Sequence, residues 1–203
     1  MDLDCAGLDI DGQHILGQIG LQILPSQTVA LMGPSGIGKT SLLRIIAGLE
    51  TRQSGRCVVN GRVGVVFQEP TLLPWRSVQD NLTIPTGISA QEARQALQDV
   101  GLDGRQDDFP RQLSLGQQRR LSLARAFAVK PQLLLLDEPF VSLDPDMVED
   151  MMALFQRLQK THDVATVFVT HVRAEAMRLS DRIITISGSP GQISADNLNA
   201  AST

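Results

Sequence analysis

The stretch GPSGIGKT, Gly33 to Thr40, fits G-x-x-x-x-G-K-[ST] in full, and that pattern carries a mechanism. Its glycines let the backbone bend until N–H groups surround phosphate oxygens. The cradle runs through Gly33, Pro34, Ser35, Gly36, Ile37, Gly38, Lys39, Thr40 and Ser41. Lys39 is placed to reach the β- and γ-phosphates of a nucleotide, and Thr40 to set its hydroxyl on Mg²⁺. LLLLDEP supplies the complement. Asp137 can hold Mg²⁺ through water, and Glu138 can accept a proton from an attacking water, a role that contributes about 10²- to 10⁴-fold.

Two more polar residues follow apolar runs. Gln68 comes after VGVVF, and its amide oxygen can ligate Mg²⁺ or water. His171 comes after VFVT, where an imidazole can hydrogen-bond a γ-phosphate and help orient water. His14 and His162 have no comparable setting and read as surface residues. A second anion site is suggested by LSLGQQRR, Leu113 to Arg120. A serine runs into a helix start there, and such a start presents unpaired N–H groups and a partial positive charge.

These residues need elements to position them. TVALM precedes Gly33, VGVVF precedes Gln68, QLLLL precedes Asp137 and ATVFV precedes Thr170, while RIITI has no such polar residue after it. The runs do not alternate polar with apolar, as expected for parallel strands buried on both faces. Helical stretches lie between. Lys39 to Ala47 is apolar-periodic and stops at Gly48. Ser89 to Glu92 is a capping box. Asp144-Pro145 is an N-cap with proline at the first helical position, and Val148, Met151, Met152, Phe155 and Leu158 follow on one side. Ligands of open α/β sheets sit outside the carboxyl ends of the strands. Gly33, Gln68, Asp137 and His171 are thus expected to converge on one edge.

Composition narrows the class. Hydrophobic residues make up 42% and the formal net charge is −4, so no polyanion-binding surface is expected and no nucleic acid is a partner. No apolar run approaches the roughly 18 residues of a membrane span, so a membrane role must come through a partner. The start MDLDCAGLD lacks the basic n-region of a signal peptide. Cys5 and Cys57 share no metal-like spacing, and a reducing cytoplasm fits them.

The ordered set GPSGIGKTS, Gln68, LSLGQ, LLLLDEP, Ser142-Leu143-Asp144 and His171 resembles the nucleotide-binding subunit of an ATP-binding-cassette (ABC) transporter, from about Leu8 to Ile193. The resemblance implies an α/β fold: a P-loop NTPase with a mainly parallel sheet core, a small antiparallel β subdomain and an inserted α-helical subdomain at about 72–130. One domain spans 1–193, and 194–203 is a flexible tail. It implies ATP and Mg²⁺ as cofactors, with Glu138, His171, Lys39 and Gln68 catalytic and Thr40, Gln68 and Asp137 at the metal. It also implies a head-to-tail dimer in which Ser114, Gly116 and Gln117 of one subunit close over the γ-phosphate held by the other. The second anion site then serves the partner's nucleotide.

Further partners implied are transmembrane permease subunits and a periplasmic solute-binding protein, which places the chain peripherally on the cytoplasmic face of the membrane. LLPWRSVQDNL and SPGQI resemble the nitrate, sulfonate and taurine branch of importers. Trp75, Leu72 and Leu73 read either as an apolar patch for the permease or as core. Three departures stand out. Leu115 replaces the first of the usual two signature glycines. No aromatic precedes the P-loop to stack on adenine, leaving Ile10 or a neighbour. The Val59–Val65 segment is short, so a trimmed antiparallel subdomain is expected. Two other readings are a soluble cassette ATPase of DNA repair or translation and a nucleotide-sensing regulatory cassette. Long insertions or a second cassette, expected of the first, do not fit in 203 residues. Intact Glu138 and His171 argue against the second.

Overall fold

The computed structural model describes residues 1–199. Its centre is a six-stranded sheet. The strands are β4 (Thr28–Met32), β6 (Val63–Val66), β7 (Leu133–Asp137), β8 (Ala165–Val169), β9 (Arg182–Ser187) and β10 (Gln192–Leu198), in the order β10-β9-β4-β8-β7-β6. All neighbours are parallel except β10, which pairs antiparallel with β9. A four-stranded antiparallel sheet lies beside it, made of β1 (Asp2–Ile10), β2 (Gln13–Leu16), β3 (Ile19–Gln22) and β5 (Gln53–Val58). The short Val59–Arg62 connection carries β5 straight into β6.

Successive residues of a strand face opposite sides, which explains why the central runs are apolar throughout. Leu134, Leu136, Ala30 and Phe168 enter one core. Leu133, Leu135, Val29, Leu31, Val167 and Val169 enter the other. The second core is closed by α1 (Lys39–Ile46) and by Leu3, Cys5, Leu8 and Leu16 of the antiparallel sheet. The first is closed by α3 (Ala90–Asp99), α4 (Leu115–Ala128), α5 (Pro145–His162) and α6 (Arg173–Leu179). With α2 (Asp80–Thr86), α3 and α4 occupy the chain between β6 and β7.

The caps form as their sequences indicate. Ser89 and Glu92 make a reciprocal capping box, and Asp144 accepts from the Met147 N–H at 2.9 Å. The C-terminal expectation needs correction. Residues 194–198 are part of β10, a strand rather than a flexible tail, and 200–203 lie outside the described residues. Pairing with β9, an Arg182–Asp196 ion pair at 2.5 Å and the Asn199 N–H bonded to the Asp181 carbonyl at 2.7 Å fix the segment. An edge strand needs its partner's backbone more than a run of apolar side chains, so its polar composition misled.

Candidate active site

Strand register builds the site. Leu31 of β4 lies level with Val169 of β8, which lies level with Asp137 of β7, while Val66 of β6 lies level with Leu136. The chain therefore leaves all four strands on one edge, at Gly33, Gln68, Glu138 and Thr170.

Lys39 opens α1 behind Gly38, whose left-handed backbone (φ 102°) is available to glycine at little cost. Its ammonium donates to the carbonyls of Gly33 at 2.8 Å and Pro34 at 2.7 Å, so it is anchored at the mouth of its own loop. Burial pushes the amine below its ordinary value, opposed by the charges of Glu138 and Asp137. One residue on, the Thr40 hydroxyl donates to Asp137 Oδ1 at 3.1 Å across 97 positions of sequence. Asp137 is 6% exposed. Burial raises its pKa, against the Thr40 hydrogen bond, while Glu138 adds to the rise.

Glu138 has φ +46°, a left-handed conformation uncommon for a non-glycine residue and one that clusters at functional sites. Its N–H donates to the Val169 carbonyl at 3.1 Å, the last bond of the β7–β8 ladder. Its carboxylate lies 3.7 Å from His171 Nδ1. His171 follows buried Thr170, whose N–H donates to the Leu31 carbonyl at 3.2 Å and whose hydroxyl donates to Glu175. Lys39, Thr40, Asp137, Glu138 and His171 thus form one constellation. Gln68 stands on the same edge with an exposed side chain.

The second anion site belongs to a different set of elements. Helix α4 packs on α2, α3, α5 and β6, whereas α1 packs on β5, β7 and β8. Ser114 is the N-cap of α4. Its hydroxyl oxygen accepts from the Gln117 N–H at 3.2 Å, and the Gln117 side chain accepts from the Ser114 N–H at 2.9 Å. This is a capping box, and it leaves the serine's own proton to donate outward. Leu115 lies in the first helical turn, where no glycine is needed, and its side chain is exposed. A Cβ at Gly116 would lie 2.8 Å from Met147 Sδ, the end of an exposed side chain that can swing aside.

Several residues that position the site carry no local sequence signal. Arg119 of α4 donates to the Pro139 carbonyl at 2.8 Å and the Val141 carbonyl at 2.6 Å, just beyond Glu138. Ser122 and Arg125 hold the Pro70 carbonyl, just beyond Gln68, at 2.8 and 3.2 Å. Buried Asn81 bonds both the N–H and the carbonyl of Leu73, and the carbonyls of Arg76 and Ser77. It holds the loop that carries Trp75, which is 70% exposed and so not core.

A parallel sheet with a lysine-bearing phosphate loop after β4, and an Asp-Glu pair at the end of β7, one strand removed across β8, defines a P-loop nucleoside triphosphatase. The family model for ABC transporters matches residues 16–141. An aliphatic sulfonates import ATP-binding protein of Delftia acidovorans is 43% identical over 92% of this chain and 78% of its own length. An ABC transporter ATP-binding protein of Methanocaldococcus jannaschii is 39% identical over 88% of this chain and 72% of its own. An ATP-binding cassette solved as a dimer in a post-hydrolysis state with ADP and Pi superposes with a TM-score of 0.83, at 26% identity and 96% coverage of each chain. The chain belongs to the ABC transporter family and is one of its ATP-binding, ATP-hydrolysing cassettes.

Proposed function

We propose that two copies of this chain close on two ATP molecules and drive a permease that imports a small anionic solute of the aliphatic sulfonate class. The observation that carries the reading is the Lys39–Thr40–Asp137–Glu138–His171 constellation on one sheet edge. Lys39 steadies the β- and γ-phosphates, and the loop N–H groups from Gly33 to Ser41 cradle them. Glu138 takes the proton of the attacking water, and His171, 3.7 Å away, steadies that carboxylate and the γ-phosphate.

The oxygen donors suit Mg²⁺, which keeps several waters and takes one or two carboxylates beside substrate phosphates. Thr40 and Asp137 would hold it, with Gln68 reaching it from the neighbouring strand. When bound, the ion neutralises charge on the phosphates. Among the described residues no group of three His, Cys, Asp or Glu forms an all-protein cage.

Ser114, the Gly116 backbone and Gln117 act on the partner's nucleotide. Hydrogen bonds to a charged group are worth about 1.5–3 kcal/mol each. Loss of several at both sites exceeds the roughly 5.5 kcal/mol that swings a two-state equilibrium from 1:99 to 99:1. Closing and opening of the dimer therefore follow the γ-phosphate. No helix among the described residues is long and apolar enough to cross a membrane. The chain docks on the cytoplasmic side of permease subunits through the exposed Trp75 loop, and a periplasmic binding protein delivers the solute. The sulfonate relatives support that cargo class. Glu138→Gln tests the reading: it should bind ATP, lose turnover and accumulate ATP-bridged dimer. Hydrolysis at the parental rate would contradict it.

A further inference from the structure

The turn between β9 and β10, residues 188–191, touches the phosphate loop from a point about 150 positions downstream in sequence. Gly191 lies so close to it that a Cβ there would sit 2.4 Å from the backbone oxygen of Ile37. Real Cβ contacts are essentially never shorter than 3.0 Å, and a backbone atom cannot swing aside as a flexible side chain can. The glycine is not required by its own backbone angles, since Gly191 is not among the residues with positive φ. It is required by space alone.

The turn is also fixed from behind. Gly191 donates to the Ile15 carbonyl at 3.0 Å, and Gly17 donates to the Gly191 carbonyl at 2.9 Å. Ile15 and Leu16 press on the phosphate loop in turn: a Cβ at Gly38 would meet Leu16 Cδ2 at 2.5 Å and Ile15 Cγ2 at 3.1 Å. The loop's first residue shows the same closeness to β9, because a Cβ at Gly33 would lie 2.4 Å from the Ile186 carbonyl oxygen. The Ile37–Gly38 peptide is therefore clamped between the Gly191 turn and the end of β2.

A peptide group is planar, so its carbonyl and its N–H move together. Pushing the Ile37 oxygen away tilts the Gly38 N–H, one of the loop donors that cradle phosphate. We infer that Gly191 is a positioning residue for the nucleotide: its bare Cα sets the tilt of the Ile37–Gly38 peptide and so tunes phosphate affinity. The inference rests on the reading of Gly33–Ser41 as the phosphate site.

Gly191→Ala tests it, with MgADP as the probe on the full chain. The dissociation constant should rise at least about tenfold, the low end of what one hydrogen bond to a charged group is worth. The same donor serves ground and transition states alike, so KM for MgATP should rise with kcat within about twofold. Ser194→Ala, on the same hairpin but away from the loop, should keep the parental affinity. Lys39→Ala separates the two claims. If Lys39→Ala loses binding while Gly191→Ala keeps the parental constant, the positioning role is wrong and the phosphate site stands. If Lys39→Ala also binds normally, the site reading fails and the inference with it. Weakening by Ser194→Ala equal to that of Gly191→Ala would reduce the effect to general loosening of the hairpin and overturn the role. Should Gly191→Ala not fold, amide exchange in the unaltered chain decides. MgADP should slow exchange at Gly191 and Gly17 severalfold, and unchanged rates there would overturn the inference.

Discussion

Arg119 and Pro139 are joined by a 2.8 Å hydrogen bond from the guanidinium to the carbonyl, with a second guanidinium bond to Val141. The helix that begins at Ser114 is thus tied to the turn that begins at Glu138. In the proposed two-copy arrangement, what one nucleotide does to Ser114 would be felt, through α4, beside the Glu138 carboxylate that serves the other.

Arg119→Ala should therefore slow turnover while leaving MgADP affinity within about twofold, because the phosphate loop is untouched. It strands two carbonyls, at about 1–3 kcal/mol for each buried group left unpaired. A chain of this size loses about 2–4 °C of melting temperature per kcal/mol. Thermal melts and steady-state ATPase check both, and Arg119→Lys should recover part of each loss. Parental turnover in Arg119→Ala would break the link between α4 and Glu138.

Burial sets a stability cost at two carboxylates of the site edge. Asp137 and Glu175 both have pKa values raised first by burial, from ordinary values of 3.8 and 4.5. Below those values both folded and unfolded chains hold the proton. As pH rises, the unfolded chain ionises first, so stability falls until the folded group ionises too, and the loss then stays constant. Asp137→Asn should accordingly melt about 2–4 °C higher at neutral pH, corresponding to about 1 kcal/mol, and lose Mg²⁺-dependent nucleotide binding. Glu175→Gln should gain stability in the same direction. A gain that grew toward acid pH would reverse the sign and refute the burial argument.

The proposed permease contact at the exposed Trp75 loop can be tested apart from hydrolysis. Trp75→Ala removes an exposed ring from the loop whose backbone Asn81 holds at Leu73 and Arg76. It should leave melting temperature and nucleotide affinity unchanged, and it should abolish solute-stimulated ATPase in the complex reconstituted with permease. Asn81→Ala removes a buried side chain that bonds the backbone of Leu73, Arg76 and Ser77, and it should lose both stimulation and stability. Full stimulation in Trp75→Ala would move the permease contact elsewhere.

Sequence alone made the site's skeleton legible because Gly33, Gln68, Asp137 and His171 were each expected just after an unbroken apolar run, the mark of a strand buried on both faces. TVALM and ATVFV coincide with β4 and β8, and QLLLL overlaps β7 with a shift of one residue. Caps at Ser89 and Asp144 were legible because their partners lie three residues on. Arg119, Asn81, Ser122 and Gly191 were not, because what they hold or touch is the backbone of other segments, which no side-chain pattern records. Glu138's left-handed backbone is equally silent, since a glutamate carries no residue-type preference for it. The strand at 192–198 was hidden by Ser194, Asp196 and Asn197, which face outward on an edge.

The most direct test of the two-copy arrangement uses mixed dimers in a Glu138→Gln background, with trapped ATP counted per dimer. A chain carrying Lys39→Ala paired with a chain carrying Ser114→Arg should trap one ATP, since one phosphate loop still faces an intact Ser114. A chain carrying both changes, paired with an otherwise parental chain, should trap none. The opposite pattern, with the double-variant pair trapping one ATP and the split pair none, would mean that Ser114 serves its own chain's nucleotide.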